Sequence, residues 1–437
     1  MKKHGFRTTL GLLEITPLII VVLIMLTFIP VKALAQERVV KVGACFDITG
    51  PYQEVKMPEA YTHYFQRINE KGGLKDLNGN TVKLELVWRD CASKVPEGLT
   101  AYKSFRREGC VLMFFSSTPQ NMALARQANE DKIPLVSIVI SNPAMEPNDY
   151  IYGQVLSREA STAIVKGIKE IWKVKGRPPK IGFLNWNNVI GMDWVPYAKK
   201  YTSVLGMEVG PDEYFTMDAL DVSSQLRRLN EAKCDYILTV VPGGQNTVLH
   251  KNLYDLGFKE NMKLVGHPPE YGMAWSVIQK LDPKITNGNI IAVPWCTPDD
   301  KVPAGELIRD MQKKYRGVVD EDMWGAYTWG LHPAMVSVEG IRLALQKVPF
   351  ENLTGEAVKK FGLDAIKNFD TGGLSAGASY ADFPGDKCAA QGLKLRVIEN
   401  GKLRPLTDWI SWEYFPTYAP KCPAWVKEVE KEKALKK

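Results

Sequence analysis

The chain has 437 residues, 56 of them basic and 49 acidic, and 45% are hydrophobic. That length allows two domains, each large enough for its own core. The charge excess of +7 is spread without long blocks, so nothing in it asks for a nucleic-acid partner.

The first 35 residues read as an export signal. Lys2, Lys3 and Arg7 give a positive start, LIIVVLIMLTFI (18–29) an apolar core, and Ala33-Leu34-Ala35 the small residues where a peptidase cuts. The alternative is an uncleaved anchor, but the unbroken run over 18–29 is well short of the roughly 20 residues a spanning helix needs. Glu14 and Pro17 interrupt any longer version, so cleavage after Ala35 is expected. Without Lys2, Lys3, Arg7, Lys32 and Glu14, 52 of the 56 basic and 48 of the 49 acidic side chains remain, a net charge of +4. Charged Glu37, Arg38 and Lys41 separate Cys45 from the apolar core and argue against lipidation there. The expectation is a soluble, exported protein.

All 7 cysteines lie beyond the signal, where an oxidising compartment permits disulfides. An odd count leaves at least one thiol unpaired, and no C-x-x-C occurs. Cys45 and Cys91 each follow a strand of one α/β unit and could approach one another; Cys388 and Cys422 flank the last strand region.

In chain order, VVKVGACFDITGP (39–51) reads as a strand and its exit, and Met57–Asn69 as an amphipathic helix. INEKGGLKDLNGNTVKLELVWRD (68–90) stops that helix on glycines, turns at Asn78-Gly79 and runs into a strand ending on Asp90. Helix 95–108 leads to strand 111–115, and helix 119–130 to strand 133–140. A helix over 160–174 precedes the Gly176–Pro179 break. A second series then begins: strand 180–186, helix 194–205, strand 208–215, helix 222–232, strand 235–241, helix 246–256 and strand 262–266. After IIAVPW (290–295) come helices near 304–315 and 324–346. KLRVIENGKLRPLTDW (394–409) forms a hairpin through Asn400-Gly401. Two consecutive α/β series make two doubly wound parallel-sheet lobes the natural architecture. EVEKEKALKK (428–437) is a solvated charge run.

ITGPY (48–52), INEKGG (68–73) with Leu84 to Asp90, SST (116–118), IPLVSIVIS (133–141), LGF (256–258) and GHPPEYG (266–272) occur in an order and spacing that resemble one family. It is the type I periplasmic binding proteins of the branched-chain amino acid group, which feed ABC importers. The resemblance implies two α/β lobes joined by three crossings, near 155–158, 293–297 and 380–384, that close on ligand like a hinge. It divides the chain into a signal (1–35), lobe 1 (36–156 plus 297–381), lobe 2 (157–296 plus 382–425) and a charged tail (426–437). It also implies a monomer in the periplasm that binds a small molecule without a cofactor or metal and hands it to a permease.

Ser117 and Thr118 are the first site candidates. Strand VLMFF runs into Ser116-Ser117-Thr118 and Pro119, with Thr118 a favoured N-cap type and Pro119 a favoured first helical residue. Open helix amides with nearby hydroxyls suit a carboxylate, at the carboxyl end of a parallel strand where such sheets bind ligands. An ordinary capped helix would look the same; the resemblance matches SST to the ligand-carboxylate loop. It likewise matches Val139 and Ser141 to a second contact loop and Glu270 to an acid facing the ligand's amino group. An ordinary glutamate would instead sit exposed in its loop. Tyr52 either walls the cleft or is a plain loop aromatic.

The sequence departs from the amino-acid-binding pattern in two loops. WNNVIGMDW (186–194) carries Ile190 where the family often has an aromatic residue, and VPGGQN (241–246) has Pro242 to Gln245, with Gly243 among them. Trp186, Trp194 and Trp324 could supply aromatic walls instead. An amino acid, an aromatic acid and an amide all remain open as ligands.

An enzyme reading rests on Gly373-Leu374-Ser375-Ala376-Gly377, which fits G-x-S-x-G. A nucleophile elbow needs a strand before it and a helix after it, and here both flanks are loop-like. None of His63, His250, His267 and His332 pairs at metal-ligand spacing with another His, Cys or carboxylate in a familiar motif; His267 beside Glu270 resembles a two-ligand site, but two prolines intervene and no third ligand is evident. The reading is a solute receptor rather than an enzyme. The alternatives are a sensing module for a separate signalling partner or an exported hydrolase using Ser375.

Overall fold

The computed structural model describes residues 37–50, 54–144, 149–241, 243–381 and 389–412. The expected signal, the charged tail, Tyr52, Pro242, Cys388, Cys422 and residues 382–384 of the third crossing lie outside those residues.

The first series is β1 (Val39–Phe46), α1 (Met57–Glu70), the short β2 (Leu74–Lys75), β3 (Thr81–Asp90), α2 (Val95–Arg107), β4 (Leu112–Phe115), α3 (Thr118–Asp131), β5 (Leu135–Ile140) and β6 (Ile151–Leu156). The second opens with α4 (Ser157–Ile171) and runs through β7 (Lys180–Trp186), α5 (Val189–Met192), α6 (Val195–Val204), β8 (Glu208–Phe215), α7 (Ser223–Glu231), β9 (Tyr236–Val240), α8 (Gln245–Asp255), β10 (Lys263–Gly266) and β11 (Ile290–Val293). Then come α9 (Pro303–Arg316), α10 (Trp324–Leu345), β12 (Lys394–Glu399) and β13 (Lys402–Pro405).

The strands form two sheets, in the orders β2-β3-β1-β4-β5-β6 and β13-β12-β11-β10-β9-β7-β8. Within each, five consecutive strands are parallel. The parallel-sheet lobes expected from sequence carry antiparallel edges, the short β2 and the expected hairpin β12–β13. The parallel parts share one winding: the first strand lies between the second and the third. Winding reverses between β1 and β4 in one lobe and between β7 and β9 in the other, and the carboxyl ends of strands flanking such a reversal form a crevice.

The chain passes between the lobes where β6, paired with β5, runs straight into α4. β6 is an addition to the sequence reading, which began the following helix at 160 rather than Ser157. All six residues of β6 are buried. A strand covered on both faces shows no alternation, so the period-2 signal is missing. Near the second crossing the Cys296 N–H donates to the Leu374 carbonyl, and α10 packs against both α1 and the turn that begins at Glu270. Cys45 and Cys91 form a disulfide, joining the ends of neighbouring β1 and β3. Cys110, Cys234 and Cys296 are buried free thiols.

Candidate functional site

The carboxyl edges of the two sheets meet. Past β5, the Ser141 hydroxyl donates to the Val189 carbonyl at 3.4 Å and the Asn142 N–H to Asp193 Oδ2 at 3.3 Å. The Asn142 side-chain amide reaches both oxygens of Glu159, at 3.2 and 3.1 Å. Asp193 is held by Arg158 at 2.6 Å, and the guanidinium lies over the Tyr197 ring at 4.3 Å. These groups bring the loop after β5 against α4 and the loop after β7.

On the first edge, β4 ends in Ser116-Ser117-Thr118. Ser117, not Thr118, is the N-cap of α3, with extended backbone angles of φ −85° and ψ 124°. Pro119 is therefore the second helical residue, still within the first turn whose amides have no intrahelical acceptor. The Ser117 hydroxyl makes no capping bond, leaving it and the helix amides available to an anion. The Thr118 hydroxyl accepts the Ser141 N–H at 3.4 Å, so the two predicted contact loops touch. Asn121 braces the turn through Phe115 O, Ser117 O and the Ser137 hydroxyl. Val139 stands on β5 opposite Val155.

On the second edge, Glu270 opens a π-helical turn, Glu270–Ala274, and is 2% exposed rather than a surface loop residue. Its Oε1 accepts from the Thr239 hydroxyl at 2.6 Å and the Val241 N–H at 3.3 Å, both at the end of β9. Burial pushes its carboxyl up to about 8, and those two hydrogen bonds oppose the shift. Gly266 lets it fit, since a Cβ there would lie 2.0 Å from Glu270 Oε2; Gly272, in the same turn, gives room to Trp329, whose Nε1 would lie 1.8 Å from a Cβ there. His267, beside it, tilts against Trp194 with ring centroids 5.3 Å apart, and its Nε2 lies 3.2 Å from the Ser157 carbonyl. Full burial lowers the imidazole to about 3, so it is neutral at pH 7.

The remaining predicted residues are less closely grouped. Ile190 lies half-buried in α5, next to Val189, which the Ser141 hydroxyl reaches. Gly243, at φ 77°, turns the chain after β9. Trp186, at the end of β7, packs in the smaller hydrophobic cluster with Leu184, Phe215 and Val241. Trp324 sits near the second crossing, its indole N–H on the Cys296 carbonyl at 3.1 Å and Arg309 over its ring. Sequence reasoning missed Asn142, Glu159, Asp193 and Glu54. Glu54, in the loop leaving β1, is 2% exposed and accepts the Asp47 N–H at 2.9 Å.

Ser375 does lie beside a histidine, 3.2 Å from His332 Nε2. It is 4% exposed, however, and its hydroxyl is shared with Thr371 and the Gly377 carbonyl. Among the described residues the buried His332 Nδ1 has no hydrogen-bond partner, so none of their acids orients the ring as a general base requires. Among the described residues no group of His, Cys, Asp and Glu could hold a metal ion.

No curated protein matches the chain. Solved structures share its fold. A branched-chain amino acid ABC transporter protein from Thermus thermophilus with bound valine is 20% identical with a TM-score of 0.71, over 86% of this chain and 97% of that one. A solute-binding protein from Rhodopseudomonas palustris BisB5 in complex with 3,4-dihydroxybenzoic acid is 17% identical with a TM-score of 0.67, over 87% and 99%. A fatty acid ABC transporter substrate-binding protein from Thermomonospora curvata is 20% identical with a TM-score of 0.66, over 86% and 93%. The periplasmic binding protein family profile matches residues 39–401, nearly the whole described chain, and with the two-lobed fold this makes the protein a member of the type I periplasmic binding protein family.

Proposed function

We propose that this protein is an exported receptor that closes on a small carboxylate-bearing solute, an amino acid or a related compound, and hands it to an ABC importer. One observation carries the reading. Ser117, Thr118 and Ser141 at one carboxyl edge and Glu270 at the other belong to edges already joined by the Ser141–Val189 and Asn142–Asp193 bonds. The hydroxyls and helix amides suit a carboxylate, and a buried Glu270 suits an ammonium, a charge-assisted bond of ~1.5–3 kcal/mol. Ligand bound between the edges favours the closed form by its differential affinity, and the closed form is what a permease would read. The valine and dihydroxybenzoate held by the similar structures support a small carboxylate.

The test is a thermal-shift screen of residues 36–437 against amino acids, aromatic acids, amides and short-chain acids. A ligand at 100 times its dissociation constant adds about 2.7 kcal/mol of stability. A hit lost in both Ser117→Ala and Glu270→Ala is expected for an amino acid, and loss in Ser117→Ala alone marks a plain carboxylate. A hit indifferent to both overturns the site, and turnover of the ligand overturns the receptor reading.

A further inference from the structure

Asn142 lies in the loop leaving β5 of the first lobe, yet its backbone N–H and its whole side chain are bonded to the second. The N–H donates to Asp193 Oδ2 at 3.3 Å, the side-chain amide donates to both Glu159 oxygens at 3.2 and 3.1 Å, and Oδ1 accepts the Arg158 N–H at 3.4 Å. Asn142, Arg158 and Glu159 are all buried. Arg158 and Glu159 begin α4, which belongs to the second lobe by its packing. It lies against α6, and a Cβ on its Gly167 would be 2.5 Å from Leu395 Cδ1 of β12. Asp193 follows α5, beyond β7 of the same lobe.

These bonds amount to a helix cap supplied from the other lobe. The amides in the first turn of a helix have no intrahelical acceptor. The residue at the capping position of α4 is Leu156, whose side chain holds no acceptor and makes no capping bond. Asn142 fills the role from the first sheet: its oxygen takes the N–H of the second helical residue, and the third, Glu159, takes its amide hydrogens. A capping box makes the same two-way exchange within one segment. Parting the edges uncaps α4 and removes hydrogen bonds that Glu159 and Asp193 accept while buried. Asn142 also follows Ser141 directly. The Ser141 hydroxyl reaches the Val189 carbonyl and its N–H the Thr118 hydroxyl, so fixing Asn142 fixes the loop that carries the expected carboxylate contacts.

We propose that Asn142 is a positioning residue that couples closure of the lobes to assembly of the carboxylate subsite. By capping α4 across the first crossing it holds Ser141 in place and keeps the two edges together around the ligand. This rests on the receptor reading given above and extends it to a residue with no ligand contact assigned. Its contribution is common to all ligands, because it acts on the closed form and on no ligand group. Ser117, in contrast, acts through the ligand's own carboxylate.

The experiment measures binding of L-valine, 4-hydroxybenzoate, benzamide and propionate by isothermal titration and stopped-flow fluorescence. In Asn142→Ala, every compound that binds the wild type should lose affinity by the same factor, roughly 10-fold, about the worth of one helix cap or one hydrogen bond to a charged group. The loss should lie in faster dissociation, with association changed by less than about 3-fold. A smaller folded fraction lowers the number of sites and not the rate constants, so misfolding does not give this readout. Asn142→Asp keeps the shape and the acceptor for the Arg158 N–H but sets a third carboxylate against Glu159 and Asp193. It should bind more weakly than Asn142→Ala, whereas a residue that merely fills space predicts the reverse order. Unchanged affinity in Asn142→Ala, the reverse order, a loss confined to association, or losses that differ by more than about 3-fold among the compounds overturn the assignment. Binding weakened by Ser117→Ala but indifferent to Asn142→Ala overturns this assignment alone. Binding indifferent to Ser117→Ala and Thr118→Ala, or none by any of the four compounds, overturns the site reading and this inference together.

Discussion

The backbone N–H of Asn142 donates to Asp193 Oδ2 at 3.3 Å, tying the loop after the first lobe's β5 to the loop after the second lobe's β7. The same carboxylate pairs with Arg158 at 2.6 Å, both side chains being less than a tenth exposed. Removing one member of such a buried pair strands the other charge at a cost of about 3–5 kcal/mol. Asp193→Ala should therefore lower stability by that order, as measured by urea unfolding. It should also open the lobes, seen as a larger radius of gyration in small-angle scattering of the ligand-free protein. An unchanged radius would show that the contact does not hold the closed form.

The stability that Glu54 and Glu270 contribute should fall as pH rises. Burial raises both Glu54 and Glu270 from 4.5 to about 8, so between those values the folded chain holds protons that the unfolded chain has lost. The contribution is complete below about 4.5 and gone above about 8. Relative to the wild type, Glu54→Gln with Glu270→Gln should gain melting temperature on going from pH 5 to pH 8.5, the buried neutral His250, His267 and His332 acting alike in both proteins. A profile unchanged in the double variant would contradict the assignment.

An ammonium-bearing ligand reverses part of this trend. By pairing with Glu270 it favours the ionised carboxylate and lowers the pKa. Binding near pH 7 should then release a proton, detected by calorimetry in buffers of different ionisation enthalpy. A ligand without an amine should release none at this site.

The Cys45–Cys91 disulfide closes a loop with a sequence separation of 46. In the chain-entropy account a loop of that length contributes about 4 kcal/mol, and removing native disulfides costs roughly 2–5 kcal/mol. Cys45→Ala/Cys91→Ala should unfold at lower denaturant by that order. Ligand affinity measured well below the transition should change little, because the bond ties β1 to β3 and no predicted ligand contact passes through it.

Ser375→Ala should cost about 1 kcal/mol, the worth of its buried hydrogen bonds to His332, Thr371 and Gly377. Ligand affinity should stay the same and a serine-directed fluorophosphonate should not label the wild type. Labelling at Ser375 would revive the hydrolase alternative.

The element order was legible because amphipathic helices such as Met57–Glu70 and turns such as Asn78-Gly79 announce themselves locally. β6 was not, since Ile151–Leu156 is covered on both faces and carries no alternation. Ser117 and Thr118 could be named as candidates because a strand exit with hydroxyls ahead of a helix is a local pattern, and Ser141 through the family resemblance. Glu54, Asn142 and Asp193 could not. A loop glutamate or aspartate is ordinarily exposed; Asp193 is buried where the two edges meet, and Glu54 by folding back over the end of β1. Trp186 illustrates the converse: an aromatic residue before a loop can wall a cleft or fill a core, and here it packs with Phe215 and Val241.

By itself, the sequence determined that two α/β series follow one another, that Ser117 and Thr118 stand at a strand exit, and which family the chain belongs to. These rest on spacings of a few residues, which local propensity and periodicity control. Only the tertiary structure decided that Glu270 is buried against Thr239 and that Glu54 is buried on the Asp47 N–H. It alone joined Asn142 to an aspartate 51 residues later in the chain. Burial and charge pairing depend on groups that the chain brings together only after both sheets have formed, and no local pattern encodes that meeting.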